Sequence, residues 1–228
     1  MNASSHTHAG PTPLTARRSG PLNGRPAVPG DKSISIRAII LGGLAAGRTE
    51  VRGMLTGEDV HSTIGALAAL GVSFEMNGTS AATVVHGVGV SGFAAPTQAL
   101  DFGNSGTGSR LMLGAVAGCP ITATFDGDAS LRTRPMRRIL EPLERIGART
   151  LSSTDGRLPL TLQGARDPIP IVFESPAPSA QLKSAVLLAA LSAPGETTVI
   201  EREATRDHTE KMLAHFGAEL RVEAAGEG

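Results

Sequence analysis

Three stretches of this sequence are apolar around almost their whole helical circumference, and this feature limits the possible folds more than any other. They cover residues 34–45, 111–117 and 182–191. A helix that is apolar on every side has to be buried on every side. Three such helices meet that requirement by packing against one another, with strands and amphipathic helices around them. The sequence therefore predicts an α/β fold that has its helices inside and its sheets outside.

Each apolar helix belongs to a longer unit that occurs three times, over about residues 29–76, 101–150 and 175–222. A unit begins with a polar turn, passes through the apolar helix to a β-branched strand, and closes with an amphipathic helix. Because all three units have this order, we expect their polar turns to gather at one end of the molecule. The glycines that end the amphipathic helices are Gly71, Gly147 and Gly217.

One domain is predicted over residues 21–228, with residues 21–28 as its first strand. Residues 1–20 are expected to stand apart from it as a disordered leader. They lack the apolar core of a secretory signal, and no apolar run in the chain reaches membrane-spanning length. Residues 223–228 carry no sequence signal that would mark the end of a domain. We interpret this end as a point where a longer sequence has been cut. Further strands are predicted at residues 49–51, 73–75, 83–85, 121–125, 160–162, 171–173 and 197–200.

Composition excludes several classes of protein. The 228 residues include 21 basic and 21 acidic side chains, and this balance argues against a general binder of nucleic acid or membranes. Tyr and Trp are absent, so platforms for stacking single-stranded bases have little to be built from. The single cysteine, Cys119, excludes an internal disulfide and a multi-cysteine metal site, and it suits a reducing, cytosolic compartment.

The first polar turn has the composition of an anion-binding site. Gly30 and Asp31 lead into Lys32, Ser33 and Arg37 at the start of an apolar helix. A helix start presents unpaired backbone N–H groups and a partial positive charge. Ser33 and Arg37 lie four residues apart and so share one helical face. This arrangement predicts a binding site for a phosphate or a carboxylate.

The second polar turn, residues 103–110, is rich in glycine but is neither a dinucleotide-binding fingerprint nor a P-loop. Gly106 and Gly108 let backbone N–H groups approach a ligand oxygen closely. An ordinary tight turn before a buried helix is an equally good interpretation. The third turn repeats the donor pattern with Ser179, Gln181 and Lys183.

Four arginines fall within residues 132–138, at the predicted start of the second amphipathic helix, with Pro135 in its first turn. Cations at a helix N-terminus oppose the helix dipole, so we expect at least one of these arginines to hold an anion. The alternative is that these arginines are simply charged side chains exposed to solvent. This alternative fits Arg137 and Arg138 better than Arg134.

Acidic residues at the other helix starts have ordinary explanations. Asp207 and Glu210 resemble a capping pair at the start of the last helix. Glu58 and Asp59 are interpreted first as acids that suit a helix N-terminus, and only second as residues of a site.

Together these motifs closely resemble the bacterial 5-enolpyruvylshikimate-3-phosphate (EPSP) synthase family. The resemblance covers almost the whole chain, and the order and spacing of its motifs make it specific. It implies an inside-out α/β barrel of the enolpyruvyl transferase type, with three βα repeats. The motifs are residues 29–33 with Arg37, 103–107, 132–135, 179–181 and 205–208.

The resemblance implies transfer of the enolpyruvyl group of phosphoenolpyruvate to the 5-hydroxyl of shikimate 3-phosphate, with release of phosphate. Lys32 matches a lysine shared by both substrates and is the implied catalytic residue of this chain. Neither a cofactor nor a metal is implied. The positions implied for shikimate 3-phosphate are Lys32, Ser33, Arg37, Ser179, Ala180, Gln181 and Arg206. Those implied for phosphoenolpyruvate are Lys32, Gly106, Arg134 and Gln181.

Family members have two similar domains, and this chain matches the first of them. Their acid/base carboxylates come from the second domain, to which a crossover strand within residues 1–20 would also belong. We therefore expect a half-enzyme that binds shikimate 3-phosphate weakly and does not turn over alone. The full enzyme is expected to be a cytoplasmic monomer that binds neither nucleic acid nor membrane.

Two alternatives remain open at the level of sequence. The UDP-N-acetylglucosamine enolpyruvyl transferase family shares the architecture but usually carries a reactive cysteine in a mobile loop, whereas Cys119 is expected to be structural. The second alternative is a non-catalytic anion-binding domain. Gly106 bears on inhibition, because the family's glyphosate site overlaps the phosphoenolpyruvate site and an alanine at this position is associated with tolerance. Gly106 therefore predicts a glyphosate-sensitive enzyme.

Overall fold

The structure, a computed structural model, describes residues 13–76 and 82–224. Most of the predicted leader, residues 1–12, and the end of the predicted cut, residues 225–228, lie outside the described residues. Residues 13–28 contain neither helix nor strand.

The prediction of a first strand over residues 21–28 is wrong. Pro21 and Pro26 have no N–H group to donate to a neighbouring strand. The apolar side chains of Leu22 and Val28 are also left uncovered, at 92% and 84% exposed. The segment therefore lacks both the hydrogen bonds and the burial that hold a strand in a sheet.

The described residues form seven helices and nine strands, which are mixed along the chain. The helices are α1 (Lys32–Leu44), α2 (Glu58–Ala69), α3 (Gly106–Ala117), α4 (Ala129–Arg132), α5 (Arg137–Ile146), α6 (Ala180–Ala190) and α7 (His208–His215). The strands are β1 (Ala46–Val51), β2 (Ser73–Met76), β3 (Thr83–Val88), β4 (Leu100–Asp101), β5 (Thr122–Asp126), β6 (Arg149–Thr154), β7 (Arg157–Gln163), β8 (Val172–Glu174) and β9 (Thr198–Ile200).

The three apolar helices, α1, α3 and α6, form the centre of the core as predicted. Ile40, Leu113 and Val186, one from each helix, are all 0% exposed. Helices α3 and α6 approach very closely at Gly114, where an added Cβ would lie 2.2 Å from the carbonyl oxygen of Ala185. Only a residue without a side chain fits this crossing.

Three separate sheets surround the central helices, one for each repeat. The first has the strand order β1-β3-β2 and is antiparallel. The second has the order β4-β5-β7-β6, and the third pairs β8 with β9. In the second and third repeats, the strand before the polar turn runs parallel to the strand after the buried helix. Residues 21–28 occupy the equivalent position in the first repeat but form no strand.

The predicted helix ends are confirmed at all three glycines. Gly71, Gly147 and Gly217 have φ angles of +97°, +120° and +89°, a conformation that favours glycine after a helix. The predicted start of α5 needs correction, because Pro135 lies before the helix rather than in its first turn. The arginine run begins in the short helix α4, which ends at Arg132 and was not predicted from sequence.

Candidate functional site

The polar starts of α1, α3 and α6 come together at one end of the core, as the repeat predicted. Each start is capped by a side-chain oxygen, from Asp31, Ser105 or Ser179, that accepts a backbone N–H of the first turn. Side chains also link the starts, since Gln181 on α6 donates to the Thr107 hydroxyl on α3 at 3.0 Å. Arg37 on α1 donates to the Ser184 hydroxyl on α6, also at 3.0 Å.

Lys32 lies at the first residue of α1 and has a carboxylate partner. Its Nζ is 2.8 Å from Oδ2 of Asp59, in the first turn of α2. The Lys32 side chain remains 52% exposed, so an anion can approach it from solvent. Asp59 is thus both a helix N-terminal acid, as predicted, and a neighbour of the candidate site. Ser33, the next residue of α1, is half-buried.

Arg37 is only 4% exposed, and its guanidinium is held from three sides. Nε donates to the Thr209 hydroxyl at 2.6 Å, Nη1 to the Ser33 carbonyl at 3.1 Å, and Nη2 to Ser184. Burial lowers the pKa of Arg37, and the nearby charge of Arg206 lowers it further, against the opposite effects of Glu210 and Asp31. A second cation therefore lies close to a buried one, which is the arrangement that a bound anion relieves.

Arg110 on α3 is a second buried arginine, at 8% exposed. Its Nη1 donates to Oε1 of Gln181 at 2.9 Å, while its Nε is buried without a hydrogen-bond partner among the described residues. Burial, and then the charges of Arg138 and Arg134, lower the pKa of Arg110 to about 10. Sequence reasoning missed Arg110 as a site residue, although its spacing of four from Gly106 places both on one helical face.

Arg134 lies beside the glycine-rich turn. Its Nη2 donates to the Asn104 side-chain oxygen and, at 3.3 Å, to the Ser130 hydroxyl. A Cβ added at Gly106 would lie 2.7 Å from Nη1 of Arg134 and 3.3 Å from Nη1 of Arg110. The backbone of this turn therefore faces two guanidinium groups, and the turn is more than a connection between elements.

An open cavity of about 420 Å³ lies where the start of α6 meets the segment before α7. Arg138 and Arg206 lie on its walls and supply two cations. Within residues 13–76 and 82–224, no salt bridge neutralises Arg37, Arg110, Arg134, Arg138 or Arg206. The residues lining the cavity are Arg138, Pro178, Ser179, Ala180, Gln181, Thr205 and Arg206.

The arginine run of residues 132–138 is divided by the structure. Arg132 makes a bidentate ion pair with Asp126, with nitrogen–oxygen distances of 2.8 and 2.7 Å. These hydrogen bonds lower the pKa of Asp126. Arg138 lines the cavity, whereas its exposed neighbour Arg137 is not among the lining residues. Nothing in the sequence distinguished Arg138 from Arg137.

The predicted capping pair of Asp207 and Glu210 is wrong. Asp207 is the N-cap residue of α7, but its side chain accepts no backbone N–H there. It forms an ion pair with Lys211 at 2.8 Å, and Glu210 forms one with Lys183 at 2.5 Å. Both carboxylates therefore pair with lysines instead of capping the backbone N–H groups of α7.

Cys119 is completely buried, as expected for a structural cysteine. Its thiol is 0% exposed and donates to the Ala115 carbonyl at 3.3 Å. Burial raises the pKa of the thiol above its ordinary value, so the reactive thiolate is disfavoured. Among residues 13–76 and 82–224, no helix is long and apolar enough to cross a membrane, and no group of three His, Cys, Asp or Glu residues could hold a metal ion.

Comparison with known proteins adds relatives over almost the whole chain. A family model described as EPSP synthase (3-phosphoshikimate 1-carboxyvinyltransferase) matches residues 16–227. The 3-phosphoshikimate 1-carboxyvinyltransferase of Afipia carboxidovorans is 67% identical over 216 residues, which are 95% of this chain and 48% of that protein. A relative of the same name in Rhodopseudomonas palustris is 64% identical over 227 residues, 99% of this chain and 50% of that protein. The chain thus spans about half the length of the curated relatives it matches.

Solved structures show the same relationship. A structure of EPSP synthase from Acinetobacter baumannii matches with a TM-score of 0.83 and 44% identity, and the match covers 88% of this chain and 45% of that one. The enolpyruvyl transferase NikO from Streptomyces tendae matches with a TM-score of 0.65 over 90% of this chain and 47% of that one. At 18% identity the second match shows the fold alone. Together these likenesses confirm the predicted fold, with buried central helices and outer sheets.

Proposed function

We propose that this chain, which belongs to the EPSP synthase family, forms one wall of an active site that transfers the enolpyruvyl group of phosphoenolpyruvate to the 5-hydroxyl of shikimate 3-phosphate, releasing phosphate. The observation that carries this proposal is the convergence of three helix starts around arginines that no carboxylate of the described chain pairs with. Both substrates combine a carboxylate with a phosphate, so a site for them needs several cations in one place.

Shikimate 3-phosphate is assigned to the cavity between α6 and the segment before α7. Ser179, Ala180 and Arg206 line this cavity, and Gln181 reaches from it to α3. The start of α6 adds unpaired N–H groups and a positive helix end for the phosphate. The lining includes Arg138, which extends the implied set of Lys32, Ser33, Arg37, Ser179, Ala180, Gln181 and Arg206.

Arg37 has a different role from the one its position in the family motif implies. Its guanidinium is buried and already donates to three protein oxygens. We assign Arg37 a position beneath the shikimate-3-phosphate site, where its charge attracts the phosphate without touching it. The exposed Arg206 makes the direct contact.

Phosphoenolpyruvate is assigned to the glycine-rich turn of α3. Gly106 faces Arg134 and Arg110, and Gln181 connects this place with the shikimate-3-phosphate side through Arg110 and Thr107. The family motif implies that Lys32 lies between the two substrates, and we assign it the role of catalytic residue of this half. Its ion pair with Asp59 orients the ammonium group until an anion competes for it.

A titration of the purified chain tests this proposal. Shikimate 3-phosphate should release heat in a calorimeter, and the exposed-site variant Arg206→Ala should lose most of that heat. Arg206→Ala is a better control than Arg37→Ala, because removing a buried, triply bonded arginine also disturbs the core. Absence of heat with the unmodified chain would contradict the proposal and favour a domain for other anions.

The chain alone is proposed to lack turnover, since its relatives are about twice as long and the second domain of the same enzyme supplies the acid/base groups. A mixture of the chain with both substrates should release no phosphate above background. Release of phosphate by the purified chain would show that the second half is dispensable. We further propose a cytoplasmic, monomeric full enzyme that uses no cofactor.

The alternative assignment to the UDP-N-acetylglucosamine enolpyruvyl transferase family is not favoured. That family usually carries a reactive cysteine in a mobile loop, whereas Cys119 is buried and its pKa is raised by burial. The family model and the curated relatives also carry the EPSP synthase description.

Glyphosate sensitivity is proposed from Gly106. An alanine methyl at this position would lie 2.7 Å from Nη1 of Arg134, closer than nonbonded contacts allow, so the guanidinium would have to shift. Gly106→Ala in the full-length enzyme should therefore weaken glyphosate inhibition and raise KM for phosphoenolpyruvate. Unchanged inhibition in an active variant would rule out this arrangement.

A further inference from the structure

Lys183 is a buried lysine with two carboxylate partners, and none of the roles proposed above uses it. Its side chain is 8% exposed, on the cavity-facing end of α6. Nζ lies 2.6 Å from Oε2 of Glu201 and 2.5 Å from Oε1 of Glu210, whose side chains are 13% and 12% exposed. One ammonium group thus holds together three separate parts of the chain, namely α6, the segment after β9, and α7.

Glu201 connects Lys183 to the segment that leads to the cavity. Its second oxygen, Oε1, accepts a hydrogen bond from the Thr205 hydroxyl at 2.6 Å. Glu201 therefore links Lys183 to Thr205, and the next residue is Arg206, on the cavity wall. The position of Arg206 consequently depends on a chain of contacts that begins at Lys183.

Glu210 constrains Arg206 from the other side. It lies in the first turn of α7, four residues after Arg206. The adjacent Thr209 hydroxyl accepts from Arg37 and hydrogen-bonds Ser184 at 2.6 Å. The α7 start is thus fastened to α1 and α6, and Lys183 is the only cation that pairs with Glu210 in the described part of the chain.

Stability alone is a poor explanation for this cluster. Buried ion pairs have a desolvation cost that often cancels their attraction, and the second oxygen of Glu210 is buried without a hydrogen-bond partner among residues 13–76 and 82–224. Against the effect of burial, Glu201 and Glu210 raise the pKa of Lys183, so the ammonium group stays paired with both carboxylates and orients the segments that carry them. Here the oriented group is the segment that carries Arg206.

We propose that Lys183 is a positioning residue that holds Arg206 at the cavity through Glu201 and Glu210, and so sets the affinity for the phosphate group of the substrate without touching it. The proposal rests on the proposed function, because it takes shikimate 3-phosphate as the ligand of that cavity.

A double-mutant cycle in the 228-residue chain tests this role. Lys183→Met should weaken binding of shikimate 3-phosphate about tenfold in calorimetry, and Arg206→Ala about 10- to 100-fold. If Lys183 acts through Arg206, Lys183→Met should cost less than about twofold once Arg206 is alanine. An equal loss in both backgrounds would show a merely structural role and overturn the proposal. Lys183→Arg should recover part of the affinity, because it restores the charge.

Lys211→Met is the matched control. It removes the exposed ion pair with Asp207, also next to Arg206, and should leave the affinity unchanged. If Lys183→Met fails to fold, Glu201→Gln replaces it, since the amide keeps the shape but loses the charge. That variant should weaken binding in the same direction and show the same dependence on Arg206. Full affinity in Glu201→Gln would overturn the proposal.

Amide hydrogen exchange separates the two proposals. Lys183→Met should speed exchange at residues 202–206, while Lys211→Met should not. If the unmodified chain does not bind shikimate 3-phosphate, the proposed function fails, and the exchange result alone decides whether Lys183 positions this segment. Identical exchange in all three proteins would overturn the positioning role.

Discussion

At the scale of single residues, the site is defined by arginines that pair with no carboxylate in the part of the chain that the structure describes. Arg110 is the clearest case, because it is buried and its pKa falls to about 10. A base whose pKa is lowered by folding is charged at a cost to the folded state, and that cost is present at every pH below about 10. Bound anions would offset it, so these residues favour binding at the expense of stability.

Replacing Arg110 with methionine should stabilise the chain. Arg110→Met removes a buried charge and keeps most of the volume, so the free energy of unfolding should rise by about 1 kcal/mol in urea denaturation. Arg132→Met is the control, because it breaks the ion pair with Asp126 and should lower the free energy of unfolding. A loss of stability in Arg110→Met would show that its hydrogen bonds to Gln181 and to the Gly106 carbonyl outweigh its desolvation.

Arg138 and Arg137 form a natural pair for testing the cavity. They are adjacent and both exposed, but only Arg138 lines the cavity. Arg138→Ala should weaken binding of shikimate 3-phosphate about five- to tenfold, and Arg137→Ala should leave it unchanged. Calorimetry on the two variants decides the matter. Equal effects would mean that both arginines act only through their general charge.

At the scale of elements, the crossing of α3 and α6 decides how near the two helix starts come. The crossing is close because Gly114 has no side chain opposite Ala185. The bond from Gln181 to Thr107 spans the same two helices. Core packing and site geometry therefore depend on one glycine.

Gly114→Ala should destabilise the chain by about 3 kcal/mol, because its Cβ would lie 2.2 Å from the Ala185 carbonyl oxygen and force the helices apart. The matched control is Gly65→Ala at an exposed position of α2, where an added Cβ would meet no described atom within 4 Å. That change should raise stability by about 0.5–1 kcal/mol through helix propensity. Urea denaturation measures both. A Gly114→Ala variant as stable as the original would contradict the close crossing.

At the scale of the whole molecule, a chain with no formal net charge carries a local group of arginines without salt bridges among the described residues. Several of its carboxylates pair with lysines or with peripheral arginines, whereas Arg37, Arg110, Arg134, Arg138 and Arg206 form no salt bridge within the described residues. The composition excludes a broad basic surface, and the fold concentrates positive charge locally instead.

Inorganic phosphate should therefore raise the midpoint of thermal unfolding by a few degrees, since a ligand of the folded state stabilises it by mass action. Sodium chloride at equal ionic strength should not. The double variant Arg138→Ala, Arg206→Ala should lose the phosphate effect. An equal rise in chloride would mean screening of charge rather than binding.

The sequence alone was enough for the architecture, because burial and periodicity are local properties of the chain. Three helices that are apolar all round could only be central, and the order of signals in each repeat predicted that their starts converge. The strand at residues 21–28 was mispredicted because a strand also needs partners and burial, which composition does not supply. Residues 1–12 and 225–228, for which predictions were also made, lie outside the described residues.

Only the tertiary structure decided which polar groups meet. Arg138 and Arg137 look alike in the sequence, and Glu210 looks like half of a capping pair, yet one arginine lines the cavity and the glutamate pairs with Lys183. The physical reason is that charged side chains respond to neighbours distant along the chain, and burial strengthens those contacts. Helix starts and apolar faces depend on residues that are neighbours in the sequence. The partners of a buried charge are determined only when the helices and strands pack together.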